Sequence, residues 1–217
     1  QILAGTRVKS VETTDTGVKV SVENADGQQV LEAEQALVAT GFKPNSLNLG
    51  LEEIGVSLTE RKFIAVNQDQ STNVPGVWAI GDVTGRLLLA HVASQQGIIC
   101  AEAIAGHAVE PVDYVMVPRA TYCQPQVASF GLTESQARET VTSVKVGKFP
   151  FQAVGKALGL GDYTGFAKII VDESTNHILG AHLIGPEVSE LLPELTLAQK
   201  NNLSVEDITS NIHAHPT

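Results

Sequence analysis

Val18, Val20 and Val22 alternate with Lys19, Ser21 and Glu23 between two turn tripeptides, Asp15-Thr16-Gly17 and Ala25-Asp26-Gly27. Alternation with period two puts the valines on one face of a strand and the polar residues on the other. A glycine closing each tripeptide suits a tight hairpin. Residues 6–40 therefore read as strands joined by short turns. The last run, Ala36-Leu37-Val38-Ala39-Thr40, is apolar up to its threonine and ends at Gly41. That pattern predicts a strand buried on both faces, as in a parallel sheet.

The pattern then changes. Gly41-Phe42-Lys43-Pro44-Asn45 reads as a turn or crossover, and Leu51–Gly55 as a short helix. Thr72-Asn73-Val74-Pro75-Gly76 leads into Val77-Trp78-Ala79-Ile80, a second buried strand, which ends at Gly81-Asp82. Residues 90–105 read as a helix. Ala93, Gly97, Ala101, Ile104 and Ala105 share one face, and Gly106 stands where a C-terminal glycine would.

Beyond residue 111, Pro111 and Pro118 flank an expected strand, and Gln126–Phe130 supplies another. Thr133-Glu134-Ser135-Gln136 has the form of a capping box and so starts a helix. Val141–Val146 reads as a strand. Phe166–Val171 and His177–Ile184 form a hairpin around Asp172–Asn176. Pro186 opens a helix to about Asn201, and Ser204 caps a last one. The first half is thus α/β. The second is α+β, with a mostly antiparallel sheet and helices on one face.

Composition excludes several functions. Acidic residues number 24 and basic residues 14, a net charge of −10 with no basic cluster, which argues against a nucleic-acid partner. No apolar run approaches the ~18 residues of a membrane span. The two cysteines, Cys100 and Cys123, are too far apart for a metal or redox motif and read as two buried thiols in a reducing cytoplasm.

Three places carry chemistry. A strand ending in Gly81-Asp82 puts a carboxylate at the edge of a sheet, where it can accept hydrogen bonds from ribose or ribityl hydroxyls. The bland reading is an Asp that caps the next turn. The helix starting near Leu89-Ala90-His91 offers free N–H groups and a positive dipole end to an anion, unless it is an ordinary buried helix start. At the other end, His213-Ala214-His215-Pro216-Thr217 sets an imidazole beside a proline, which restricts it and suits it as a general base for a thiol.

These segments together resemble the pyridine nucleotide-disulfide oxidoreductases. Thr72–Val83 (TNVPGVWAIGDV) resembles the family's second flavin motif, and Ala39–Asn45 (ATGFKPN) the end of its NAD domain. Leu89–Ala93 (LAHVA) is similar to its flavin-contacting helix start, and Pro118–Glu134 (PRATYCQPQVASFGLTE) to the entry of its dimerisation domain. His213–Thr217 (HAHPT) is similar to the tail of members that oxidise dihydrolipoamide, where the run continues to a Glu.

The resemblance implies three segments. Residues 1–43 would be the end of an NAD-binding domain and 44–110 part of a FAD-binding domain, both Rossmann-like. Residues 111–217 would be an α+β dimerisation domain. It implies FAD and NAD as cofactors. Gly81 and Asp82 would meet the ribityl chain, and Leu89, Ala90 and His91 the flavin ring. Ala39, Thr40, Gly41 and Phe42 would line the nicotinamide site, with Phe42 where the family usually has Arg. Gln126 stands where Glu is common. His215 would be the base that acts on dihydrolipoamide in a site shared across a homodimer, with His213 the weaker candidate. Partners would be the lipoyl domains of 2-oxo acid dehydrogenase or glycine cleavage complexes, in the cytoplasm. The alternatives are a glutathione-type disulfide reductase and a non-catalytic dimerisation module. No GxGxxG follows a strand, no CxxxxC pair is present, and the chain starts without Met, so it reads as a C-terminal fragment of a longer enzyme.

Overall fold

The valine alternation folds as a meander. β1 (Arg7–Thr14), β2 (Gly17–Asn24) and β3 (Gly27–Ala33) pair antiparallel in chain order, with Val20 opposite Leu31 and Val18 opposite Thr13. The two glycine-closed tripeptides make both turns. The computed structural model describes residues 1–217 and separates into two units, Gln1–Lys43 and Pro44–Thr217.

Within the first unit the run Ala36–Thr40 forms no strand, contrary to its sequence pattern. Leu37 is 93% exposed. A strand buried on both faces needs strands beside it and helices over it. Residues 1–43 provide neither, since the meander ends at β3.

Two expected elements are also missing early in the second unit. Leu51–Gly55 winds only one turn, closed by Val56 N–H donating to Leu51 O at 2.8 Å. Val77–Ile80 is not a ladder strand and is not uniformly buried. Its sole bridge joins Trp78 to Ser71, and Ala79 N–H donates to Gln70 O at 3.1 Å. Only one neighbouring segment reaches it, so no sheet forms around it. A small core of Val56, Ile64, Val66 and Ala79 lies here. The chain then makes a 3-10 turn at Gly81–Thr84 and enters α1 (Ala90–Ile104). The buried stripe of α1 is Val92, Gln96 and Ile99, whereas Ala101, Ile104 and Ala105 are exposed. The small-residue face is covered only near Ala93 and Gly97, where Gly81 and Ile80 pack.

The remainder is a five-stranded sheet. β4 (Arg119–Thr121), β5 (Gln126–Gly131), β6 (Val144–Pro150), β7 (Phe166–Asp172) and β8 (Ile178–Gly185) lie in the order β4-β5-β8-β7-β6 with every pair antiparallel. No strand forms between Pro111 and Pro118. Asp113 accepts from the N–H groups of Val115 and Met116 and makes a turn there instead. β6 begins at Val144 rather than Val141, because Val141 N–H closes α2 (Glu134–Thr140) on Ala137 O. Both halves of the Thr133/Gln136 capping box are formed. A short α3 (Gly155–Leu160) follows β6, without a sequence signal. α4 (Val188–Lys200) and α5 (Val205–Ser210) finish the fold, the latter capped by Ser204 and Asp207.

The core lies between the sheet and α4. Ala128, Phe130, Ala181 and Leu183 on the strands and Val188, Leu192, Leu195 and Ala198 on α4 form one buried cluster, with Ile169 and Ile208 against it. Lys168 and Ile170 alternate with Ile169 and so face the other side. There Lys168 Nζ meets Glu134 Oε2 of α2 at 2.6 Å. Helices thus cover both faces, not one. Ile170 needs this, being fully buried on the α2 side.

Glu134 accepts from Lys168 and also from Arg138 at 2.8 Å. The Lys168 hydrogen bond, then the Arg138 one, pull its carboxyl from the ordinary 4.5 down to about 2. A carboxyl lowered by folding stabilises the fold above its unfolded value and ceases to do so as pH falls towards its folded value. Glu134→Gln is therefore expected to flatten the pH dependence of the unfolding midpoint between about pH 4.5 and 2. Thermal melts across that range check it. Parallel curves for variant and parent would refute the pairing.

Candidate functional site at the Gly81 corner and the histidine tail

The chain turns sharply after Ile80. Gly81 sits at φ +76°, a left-handed conformation that favours glycine. Its N–H donates to Gln96 Oε1 at 2.7 Å, and its carbonyl accepts from Thr84 Oγ1 at 2.8 Å. Gly85 N–H closes the 3-10 turn on Asp82 O at 3.0 Å. The Asp82 backbone is thus fixed. Its carboxylate is exposed and makes no hydrogen bond. It does not cap the turn.

α1 begins beside this corner. A Cβ on Gly81 would lie 3.5 Å from Ala93 Cβ, so the first turn of the helix packs on the glycine. Leu89 is the N-cap and gives no side-chain cap. Val92 and Ala93 N–H both turn to Leu89 O at 3.0 Å, which leaves the N–H groups of Ala90 and His91 without partners in the chain. Those are the orphan donors of a helix start, at its positive end. The His91 ring is engaged elsewhere, with Nε2 2.9 Å from Pro118 O. Only its backbone is available.

This donor set fits a flavin dinucleotide. A free carboxylate suits ribityl hydroxyls, free N–H groups suit an electron-rich ring edge, and Ile80 presents 42% of an apolar side chain next to them. The segment Ala39–Phe42 fits a nicotinamide cofactor less well. It lies in the first unit as irregular chain, with Gly41 at φ +112° and Phe42 74% exposed. It offers no charged side chain.

The histidine tail follows α5 and is exposed. His213 Nε2 lies 2.7 Å from Glu194 Oε1 on α4, and that hydrogen bond, with the carboxylate's charge, raises the imidazole above its ordinary 6.5. His215 has no hydrogen-bond partner in the chain. Glu194 of α4 therefore pairs with His213 and not with His215.

Sequence reasoning missed Glu194 and Gln96. Glu194 lies 19 residues before His213, and no local spacing announces it. Gln96 carried a usable signal, being four residues after Val92 and three before Ile99 in the stripe that becomes buried. The cysteines are both free, Cys100 half-buried and Cys123 exposed, so only the first fits the expectation of buried thiols. Burial, then Asp69, pushes the Cys100 thiol up. No cluster of three or more His, Cys, Asp or Glu side chains could hold a metal, and no helix is long and apolar enough to cross a membrane.

Comparison with known proteins adds three findings. Residues 1–97 match a family model described as pyridine nucleotide-disulphide oxidoreductase, and residues 117–217 one described as the dimerisation domain of that family. The chain is 52% identical over 219 residues to a dihydrolipoyl dehydrogenase of Mycobacterium leprae, and 46% identical over 222 residues to one of Corynebacterium glutamicum. In both cases all of this chain aligns with 47% of the relative, so the chain spans about half the length of the curated relatives it matches. The fold is similar to LpdA from Mycobacterium tuberculosis, with TM-score 0.91 and 29% identity over 98% of this chain and 46% of that one. It is also similar to the HOCl-induced flavoprotein disulfide reductase RclA of Escherichia coli, with TM-score 0.87 and 27% identity over 97% and 48%.

Proposed function

The chain belongs to the pyridine nucleotide-disulphide oxidoreductase family, and from that premise we propose that it is part of a dihydrolipoyl dehydrogenase. The observation that carries the reading is the bare Asp82 carboxylate beside the uncapped start of α1, in a chain half identical to such enzymes over its whole length.

In this reading residues 1–43 end an NAD-binding domain, 44–110 belong to a FAD-binding domain, and 111–217 form the dimerisation domain of a homodimer. FAD, when bound, supplies the two-electron relay between a dithiol and NAD. Gly81 and Asp82 hold its ribityl chain, while Leu89 and the backbone of Ala90 and His91 meet its ring. The positive end of α1 favours added negative charge there. Ala39, Thr40, Gly41 and Phe42 line the nicotinamide site through backbone groups and Thr40.

His215 takes the thiol proton of dihydrolipoamide. Its exposure leaves the ring free to meet a substrate from outside the chain. His213 is the poorer candidate, because its ring is already engaged by Glu194, whose hydrogen bond and charge raise the imidazole and favour its protonated form. The substrate is a protein-bound dihydrolipoamide, presented by lipoyl domains of 2-oxo acid dehydrogenase or glycine cleavage complexes in the cytoplasm. Two free cysteines suit that compartment.

Assay of the full-length protein tests the reading. Turnover of dihydrolipoamide with NAD is expected, with none of glutathione disulfide. Reduction of glutathione disulfide without dihydrolipoamide oxidation would replace this reading with the reductase one.

A further inference from the structure

Gln96 is fully buried in the apolar stripe of α1, between Val92 and Ile99. A buried amide there must be satisfied at both ends to be tolerated. It is. Oε1 accepts from Gly81 N–H at 2.7 Å, and Nε2 donates to Tyr114 Oη at 2.9 Å. The amide therefore joins two segments that no other side chain connects at these atoms.

Each end is anchored further. Gly81 opens the 3-10 turn that carries Asp82. Tyr114 lies in the segment before the antiparallel sheet, where its carbonyl accepts from Arg119 Nη2 at 2.9 Å. The next carbonyl, Val115 O, accepts from Gly131 N–H at the end of β5, at 3.0 Å. The His91 ring makes a second tie from α1 to the same segment, at Pro118 O. Gly81, Gln96 and Tyr114 are thus linked by consecutive hydrogen bonds, and the next residue along the chain, Val115, ties that segment to β5.

We propose that Gln96 is a positioning residue for the flavin: it sets the Gly81–Asp82 corner, and through Tyr114 it couples that corner to the sheet of the dimerisation domain. The proposal rests on the flavin reading above. Without the Gln96 acceptor, the Gly81 N–H has no partner and the corner loses the bond that fixes its φ. Asp82 then no longer holds one orientation towards a ribityl chain.

The test uses the full-length flavoprotein and reads FAD release, followed by flavin fluorescence after dilution, together with the visible flavin spectrum. Gln96→Leu is expected to speed release about tenfold and to shift the spectrum. Gln96→Glu should restore slow release, since a carboxylate can accept from both Gly81 N–H and Tyr114 O–H. Tyr114→Phe should show a smaller acceleration, and none when added to Gln96→Leu, because the shared bond is already gone. Unchanged release in Gln96→Leu, no rescue by Glu, or additive effects of the two substitutions would each overturn the coupling. If Gln96→Leu fails to fold, Tyr114→Phe alone decides, and unchanged release in it overturns the proposal. A parent protein that binds no FAD overturns the flavin reading itself, and this inference with it.

Discussion

Replacing His215 with glutamine in the full-length protein is expected to slow dihydrolipoamide oxidation about 100-fold or more, the scale of a positioned general base. Glutamine keeps most of the volume but takes no proton. The substitution should leave stability within about 0.5 kcal/mol, because an exposed side chain without hydrogen bonds supports nothing else in the fold. The loss should therefore fall on turnover and not on the amount of folded enzyme. His213→Gln makes the contrast. It breaks the Glu194 bond, whose raised folded value gives stability that is present below 6.5 and lost as pH rises through that folded value. Its effect should be a pH-dependent change in stability with most turnover retained. Turnover unchanged in His215→Gln would sink the assignment of the base.

Much of the second half of the chain was legible because its signals are local. The Thr133 capping box, the Ser204 cap, the Asp172–Asn176 turn and the strand run Phe166–Val171 each act within a few residues, and each formed where the sequence placed it. The first half misled where a local pattern depended on distant partners. Ala36–Thr40 and Val77–Ile80 have the composition of central strands. Such a strand is stabilised by neighbours, and the chain supplies no ladder for either. The same physics explains the face of α1. Ala93, Gly97 and Ala101 share one helix face by spacing, yet burial followed Val92, Gln96 and Ile99, the side that meets the rest of the unit. At the candidate site, the candidates Gly81, Asp82 and Ala90 came from motifs that are contiguous in sequence. Gln96 and Glu194 bond across 15 and 19 residues, so their partners emerge only on folding.

Phe130→Ala should be among the most destabilising single substitutions in the chain, at about 3–5 kcal/mol. The ring is fully buried on β5, opposite Ala181 of β8, within the cluster closed by Val188, Leu192 and Leu195 of α4. The residue opposite cannot fill the space, because Ala181 is small, and Gly180 beside it pairs with Gly131 rather than with Phe130. Gly180 is itself constrained, since a Cβ there would stand 2.3 Å from Leu132 O, a backbone atom that cannot yield without moving the β5 end. The strands therefore cannot close on the cavity, and the cost should lie at the upper end of the range. Urea unfolding of the full-length protein measures it as a lower midpoint with an unchanged slope. Val30→Ala, at an exposed position on β3, provides the comparison and should stay within about 0.5 kcal/mol. Equal shifts in the two variants would mean that the cluster under α4 does not carry the stability of the sheet.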